Sequence, residues 1–460
     1  MIRMMALAWI AFLAGPAAEQ DWKDLDGWDV YVGPPGKGQP ARGLNNDPDR
    51  VFTVVEIDGA PAMRVSGQTI GAFTTKEEYD NFHFRVEFKW GELTWPPRKG
   101  LPKDCGILYY CVGPHGAGSG GWMKSVESNV MEEDYGSFWA VAGTTVDIEL
   151  GEEKSAYREG GSGYPVYKRG GKLTPRGPAA GDGVRPTPIP EPKPGSWNVA
   201  EVYSINGTGI HVFNGQVTLV LRNSRHTVDG ALVPLTRGKI QLQSEFAEVY
   251  YRKPQIRTIS EFPAEMKPWA DGPGGDDSGF TPLLDDAHLK DWVQCGPGRF
   301  DVKDGIATGE GGMGLWWYKA RMFKDFVLRG EYLQEKGGMS DSGIFVRFPD
   351  PGSNPMVAVK QGHEMEIGEN APAKNATGSI YPFQSPAWAP LKPHGEWNAY
   401  EITCIGRTYD VRLNGHLVNR FVDDQQRPLE GYVGLQNYPY TKAPYDRTVR
   451  HRNVRIKELP

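Results

Sequence analysis

Gly195-Ser-Trp197-Asn198, followed by Glu201 and Asn214-Gly215, returns as Gly395-Glu-Trp397-Asn398, Glu401 and Asn414-Gly415, every position shifted by 200 without a gap. In both places Asn-Gly stands between alternating apolar runs, the pair that supplies two positive φ values to a two-residue hairpin. A hairpin that recurs at a fixed offset marks a tandem repeat, and three further blocks recur in the same order. Tyr79-Asp-Asn-Phe82-His-Phe84-Arg85-Val-Glu87-Phe88 aligns with Phe323-Lys-Asp-Phe326-Val-Leu328-Arg329-Gly-Glu331-Tyr332, keeping an Arg-x-Glu-aromatic ending on a strand-like alternation. Asp104-Cys-Gly106-Ile107 aligns with Asp341-Ser-Gly343-Ile344. Gly238-Lys-Ile-Gln-Leu242-Gln243, with Arg252 and Ile256, aligns with Gly431-Tyr-Val-Gly-Leu435-Gln436, with Arg452 and Ile456.

The repeat places one domain at 20–259 and a second at 280–460, joined by a linker, 260–279, dense in Pro, Gly and Asp. The Pro/Gly/Lys/Arg-rich stretch 160–195 lacks periodicity and reads as a long loop that the second copy does not have. With 58 Gly and 37 Pro among 460 residues, about a fifth of the chain punctuates it into short segments. Short alternating strands between Gly, Asn and Asp turns, with no long amphipathic helix, predict an all-β protein of two tandem jelly-roll β-sandwich domains.

A net charge of −6 indicates neither a polybasic nucleic-acid surface nor an acidic tail, so no nucleic-acid partner is expected. Arg3, the apolar run Met4 to Leu13 and Gly15-Pro16-Ala17-Ala18 read as a signal peptide over residues 1–18, directing the protein to the periplasm or outside the cell. About ten apolar residues are too few to span a bilayer, so no membrane partner is expected, and no Cys follows that run for lipid attachment. Of the four cysteines, Cys105 and Cys111 lie on one predicted strand, too far apart to bridge at about 3.3 Å per residue. Burial as small apolar residues is the expectation for most of them.

These blocks resemble the 3-keto-disaccharide hydrolase family, formerly of unknown function, and the resemblance runs twice along the chain. In the second copy it rests on Asp341-Ser342-Gly343-Ile344-Phe345-Val-Arg347, Glu364-Met-Glu366-Ile-Gly-Glu369, Thr377-Gly378-Ser-Ile-Tyr381, Gly434-Leu-Gln436-Asn437 and Arg452-Asn453-Val-Arg-Ile456. The first copy keeps Glu127-Ser-Asn129-Val-Met-Glu132 and Gly136-Ser-Phe138-Trp139, but has Tyr110 where the second has Arg347. The resemblance implies a concanavalin-like jelly roll and a carbohydrate substrate, specifically a 3-keto-glycoside.

Glu364 and Glu366 lie two apart on a predicted strand and share one face, while His363, Met365 and Ile367 take the other. Paired carboxylates on a concave face can divide acid and base roles or hold a divalent cation such as Ca²⁺; the sequence specifies no cofactor and no metal ligand set. Arg347 shares the parity of Asp341, Gly343 and Phe345, so it is expected beside the glutamates as a cationic fork for a carbonyl oxygen. The catalytic candidates are therefore Glu364, Glu366 and Arg347, with Glu127 and Glu132 in the first copy. Asp341, Glu369, Tyr381, Gln436, Asn437 and His451, with Tyr110 and Asn129 in the first copy, are the substrate-binding candidates. Trp197 and Trp397 are assigned to the core, and Asn198 and Asn398 to backbone groups. The second copy, with more carboxylates and a cation, is the favoured site of catalysis. The competing reading is a non-catalytic, lectin-like carbohydrate-binding protein on the same sandwich.

Overall fold

Both Asn-Gly pairs close their hairpins: Asn214 and Asn414 each adopt φ 49°, followed by Gly215 at 80° and Gly415 at 86°, the left-handed pair of a type I′ turn. Asn214 Oδ1 accepts the Val199 N–H at 2.9 Å and its Nδ2 donates to Asn198 Oδ1 at 2.9 Å. Asn414 repeats both bonds, to Ala399 at 2.9 Å and Asn398 at 2.8 Å. Asn198 and Asn398 in turn accept the Lys193 and Lys392 N–H groups, each at 2.8 Å. Each asparagine pair thus stitches its hairpin to the incoming loop and satisfies backbone donors that would otherwise lack a partner.

The computed structural model describes residues 26–155, 163–179, 182–270, 278–336, 340–368, 373–438 and 448–460. The signal-peptide stretch lies outside these. Two compact units emerge: one from Met1–Ala142, Arg185–Leu219 and Thr236–Glu261, the other from Gly143–Val184, Val220–Leu235 and Phe262–Pro460.

In the first unit, one sheet runs Phe138–Val141, Lys124–Asn129, Gly106–Val112, Lys239–Ser244, Gly71–Thr75 and Trp28–Val32, edged by Gly43–Leu44. Its second sheet runs Thr208–Phe213, Asn198–Ile205, Phe82–Thr94, Ala247–Thr258, Ala60–Val65 and Phe52–Ile57. The second unit repeats these orders. His363–Ile367, Ser342–Phe348, Gly431–Asn437, Gly314–Phe323 and Trp292–Cys295 form one sheet, with Ile380–Tyr381 at its edge. Thr408–Leu413, Asn398–Ile405, Phe326–Gln334, Val449–Glu458, Ile306–Glu310 and Arg299–Lys303 form the other, with His416–Val422 beyond Thr408–Leu413. The chain is two jelly-roll sandwiches of one topology.

Apolar residues from the facing sheets interlock in the second unit, Leu328, Tyr332 and Ile402 from one and Ile344, Met365 and Leu435 from the other. Each such buried aliphatic side chain contributes about 1.5–3 kcal/mol relative to exposure. The same cross-sheet polar contact sits inside both cores: Tyr251 Oη donates to Cys105 Sγ at 3.0 Å, and at the matching positions Ser342 Oγ meets His451 Nε2 at 3.4 Å. All four cysteines are buried and free, in keeping with their sequence pattern.

The tryptophans of the repeated motif are not core residues. Trp197 and Trp397 are half-buried, and each carries an arginine over its ring at 4.1 Å, Arg252 and Arg452 respectively. These arginines pair in turn with Glu87 at 2.6 Å and Glu331 at 2.9 Å. The recurrence of Trp, Arg and the Glu of Arg-x-Glu is thereby explained as one cation–π and ion-pair stack per repeat.

The stretch read as a loop also differs. Tyr164–Tyr167 and Lys172–Arg176 are strands that pair with Thr144–Ser155. Pro165 and Pro175 sit within them, which obscured the alternation; short outer strands tolerate proline where central ones do not. Within the second unit this arm is fastened to Thr408–Val422: Arg420 bridges Glu149 at 2.8 Å and Asp410 at 2.6 Å, and Asn223 Nδ2 donates to the Leu417 carbonyl at 2.7 Å. Among the described residues no helix is long and apolar enough to cross a membrane.

Candidate functional site

Strand Ser342–Phe348 pairs with His363–Ile367 in the register Gly343 to Glu366 and Phe345 to Glu364. Ile344, Met365 and Ile367 enter the core, so alternation turns Gly343, Glu364 and Glu366 to the opposite face, where the two glutamates line a cleft of about 390 Å³. Asp341, Lys374, Asn375, Tyr381, Gln436 and Tyr438 complete its polar lining. Gly343 is required for space and not for backbone freedom, since a Cβ there would overlap Glu364 Oε1. Gly106 stands in the same relation to Glu127 Oε1 in the first repeat. The Asp-x-Gly block is the imprint of a carboxylate leaning across from the next strand.

Burial dominates the electrostatics. Glu364 is 97% removed from solvent, and desolvation, reinforced by the charge of Asp341, holds its carboxyl well above the usual range. Glu366 is raised too, first by burial and then by the neighbouring charges of Glu364 and Asp341, the latter also its hydrogen-bond partner. Glu364 Oε1 and Gln436 Oε1 have no hydrogen-bond partner among the described residues, so two polar atoms in the cleft are left for a ligand. The described residues hold no group of three or more His, Cys, Asp or Glu arranged to bind a metal ion.

Other expected members stand elsewhere. Arg347 does not reach the glutamates: it has φ 54° at a break in strand register, and this left-handed residue reverses the parity on which its placement depended. Its guanidinium is fully buried, donating to the Lys324 carbonyl at 2.7 Å, the Gly406 carbonyl and Tyr409 Oη, and pairing with Asp325 at 2.8 Å. Tyr110, at φ 55°, is its counterpart, and its hydroxyl takes Ser204 Oγ at 2.6 Å and the Gly207 N–H at 3.4 Å. Both residues plug the same hairpin turn of the opposite sheet. His451 is likewise a core residue, its ring kept neutral by burial, which lowers its pKa to about 3. Asn437 donates to the Glu310 and Gly312 carbonyls and fixes a loop. Glu369 lies outside the described residues. Lys374, which lines the cleft with its ammonium 5.7 Å from the centre of the Tyr381 ring, was missed because it belongs to no alternating strand.

The first repeat builds a related cluster. Glu127 is pushed well up by burial and by the charges of Asp104 and Asp134, and Glu245 is raised by burial and by Asp104 and Glu127. Arg98 pairs with Asp104 and with Glu245 at 3.7 Å, so this copy does have a cation, supplied by a loop. Glu245 was legible as the next outward position after Gln243. Asn129 caps a turn, accepting the Met131 N–H at 3.0 Å, and Glu132 accepts the Lys103 N–H at 2.9 Å, away from Glu127.

The family described as the 3-keto-alpha-glucoside-1,2-lyase-like domain matches residues 20–257 and 279–457. The chain belongs to it. No curated protein matches. Similar solved structures include two candidate glycosyl hydrolases of Parabacteroides distasonis ATCC 8503. One is 19% identical, covering 39% of this chain and 99% of its own at a TM-score of 0.32; the other is 16% identical, covering 44% and 99% at 0.33. A Bacillus subtilis carbohydrate-binding module, CBM66, is 15% identical, covering 36% and 96% at a TM-score of 0.27. As a member of the 3-keto-alpha-glucoside-1,2-lyase-like family, the chain is a carbohydrate-processing jelly-roll protein with one family domain in each repeat. The Glu364 cleft lies in the second of them and the Arg98-paired cluster in the first.

Proposed function

We propose that the protein is an exported enzyme that cleaves 3-keto-glycosides in the second-repeat cleft by elimination and hydration. The observation that carries this reading is the pair of buried carboxyls, Glu364 and Glu366, on one face of a cleft that Asp341 and Lys374 also line. A ketone at C3 acidifies the C2 hydrogen. Removal of that proton by a carboxylate forms the enolate, which collapses to a C1–C2 double bond as the C1–O bond breaks, and the aglycone leaves with a proton from an acid. Water then adds across the double bond to give the free 3-keto sugar. Burial that raises the pKa suits one of the pair to the acid role, and the other, once ionised, is made a stronger base by the same desolvation. Lys374 takes the part at the C3 oxygen that Arg347 cannot, since a cation beside a developing enolate lowers its energy most where water is excluded. In the first repeat Arg98 is paired with Asp104 and Glu245 beside Glu127, so its cation is already engaged, which favours the second repeat for catalysis.

The test is release of p-nitrophenol from p-nitrophenyl 3-keto-glucoside by the purified full chain, with the unoxidised glucoside as control. Release from the keto substrate alone supports the reading. No release from either supports a lectin-like binding protein, and release from both points to an ordinary two-carboxylate glycosidase.

A further inference from the structure

We infer that the first repeat carries a second, non-catalytic site, a cleft for a neutral oligosaccharide chain walled by Trp90 and the Pro190–Pro194 segment. The cleft measures about 920 Å³, more than twice the 390 Å³ of the carboxylate cleft and near the top of the roughly 300–1,000 Å³ range of small-molecule sites. It is built from the first unit alone.

Its aromatic wall is fixed before any ligand arrives. Trp90 Nε1 donates to Tyr135 Oη at 3.3 Å, its ring meets Phe88 edge-on at 6.0 Å, and Tyr135 is stacked on Phe213 at 4.4 Å. Across from it, Pro190, Pro192 and Pro194 restrict the backbone. Lys193 is tied at both ends, its N–H to Asn198 Oδ1 at 2.8 Å and its carbonyl to Asn198 Nδ2 at 3.3 Å. A preformed cleft avoids the ordering cost that a mobile one meets on binding.

The charges select the ligand class. Lys103 faces Glu132 at 3.7 Å and Lys89 faces Asp58 at 3.6 Å, and the three lysines of the lining are outnumbered by its four glutamates, so the cleft has no excess positive charge to recruit a phosphate or carboxylate. What remains around the indole is a ring of hydrogen-bonding heads on an apolar floor. That combination fits a polyhydroxylated ligand, whose C–H face stacks on the aromatic ring while its hydroxyls reach the polar rim. The sugar identity of that ligand rests on the carbohydrate reading above; the cleft itself does not. At the matching position of the second repeat Gln334 replaces Trp90 and turns its amide to the Gly368 carbonyl at 3.2 Å, so the stacking ring is not repeated there.

Isothermal titration of the full chain with maltohexaose, cellohexaose, xylohexaose and, as the anionic probe, hexagalacturonate tests the inference. Binding of a neutral probe should weaken at least tenfold in Trp90→Ala and at least threefold in Glu92→Ala, an exposed position on the rim that tests the site even if Trp90→Ala does not fold. It should stay within twofold in Glu364→Gln. Any other pattern overturns the inference: no neutral probe bound, tighter binding of the anionic probe, binding that Glu364→Gln abolishes, or binding that the rim substitutions spare. Binding with this pattern in a protein that fails to release p-nitrophenol overturns the proposed reaction and leaves the cleft standing.

Discussion

The carboxylate of Glu364 occupies the space where a side chain at position 343 would stand. Glycine is therefore demanded by a neighbour on the next strand, although its own backbone is ordinary for a strand.

This predicts coupling between the two positions. Gly343→Ala should destabilise the protein by about 1–3 kcal/mol in urea titration, as overpacking does. In a Glu364→Ala background the same change should cost under about 0.5 kcal/mol, because the overlapping oxygen is gone. Equal costs in both backgrounds would contradict the geometry.

Glu364→Gln keeps the shape of the side chain and removes its proton chemistry. On the 3-keto-glucoside, kcat should fall by roughly 10²-fold or more, whereas Glu127→Gln should change it little. The reverse ranking would move the reaction to the first repeat.

The same substitution should raise stability at neutral pH. An unfolded glutamate ionises near about 4.3, while folded Glu364 keeps its proton well above that. The native state then binds more protons than the unfolded state, so stability falls as pH rises from about 4.3 toward the folded pKa. Glu364→Gln abolishes this slope. Its melting temperature should exceed the wild type's at pH 7–8, by roughly 2–4 °C for each kcal/mol released, and the two should converge near pH 4.

Arg347→Met tests the corrected placement. Leaving Asp325 and two carbonyl groups without their donor should cost about 3 kcal/mol or more in denaturant unfolding. Under conditions where the variant is folded, kcat should stay within about threefold of wild type. A loss of kcat in a fully stable protein would return Arg347 to the reaction.

The Trp–Arg–Glu stacks should behave alike in both repeats. Arg252→Lys and Arg452→Lys, which keep charge but lose the planar guanidinium over the indole, should each destabilise by about 1 kcal/mol.

Strand alternation, the Asn-Gly turns and the offset of 200 are local or periodic properties, and from them alone the tandem jelly rolls, their hairpins and the shared face of Glu364 and Glu366 could be read. The same spacing grouped Trp, Arg and Glu but could not say that they stack outside the core. Tertiary structure decided the rest of the site. Parity counting holds only along an unbroken pleat, and one left-handed residue at Arg347, matched by Tyr110, turned the expected catalytic cation into a plug for a hairpin turn. Lys374 lines its cleft and Arg98 pairs with Asp104 and Glu245 from irregular segments, where no period announces a partner. The raised pKa values of Glu364 and Glu366 come from removal of water by surrounding strands, a property of the packed sandwich that no residue carries by itself.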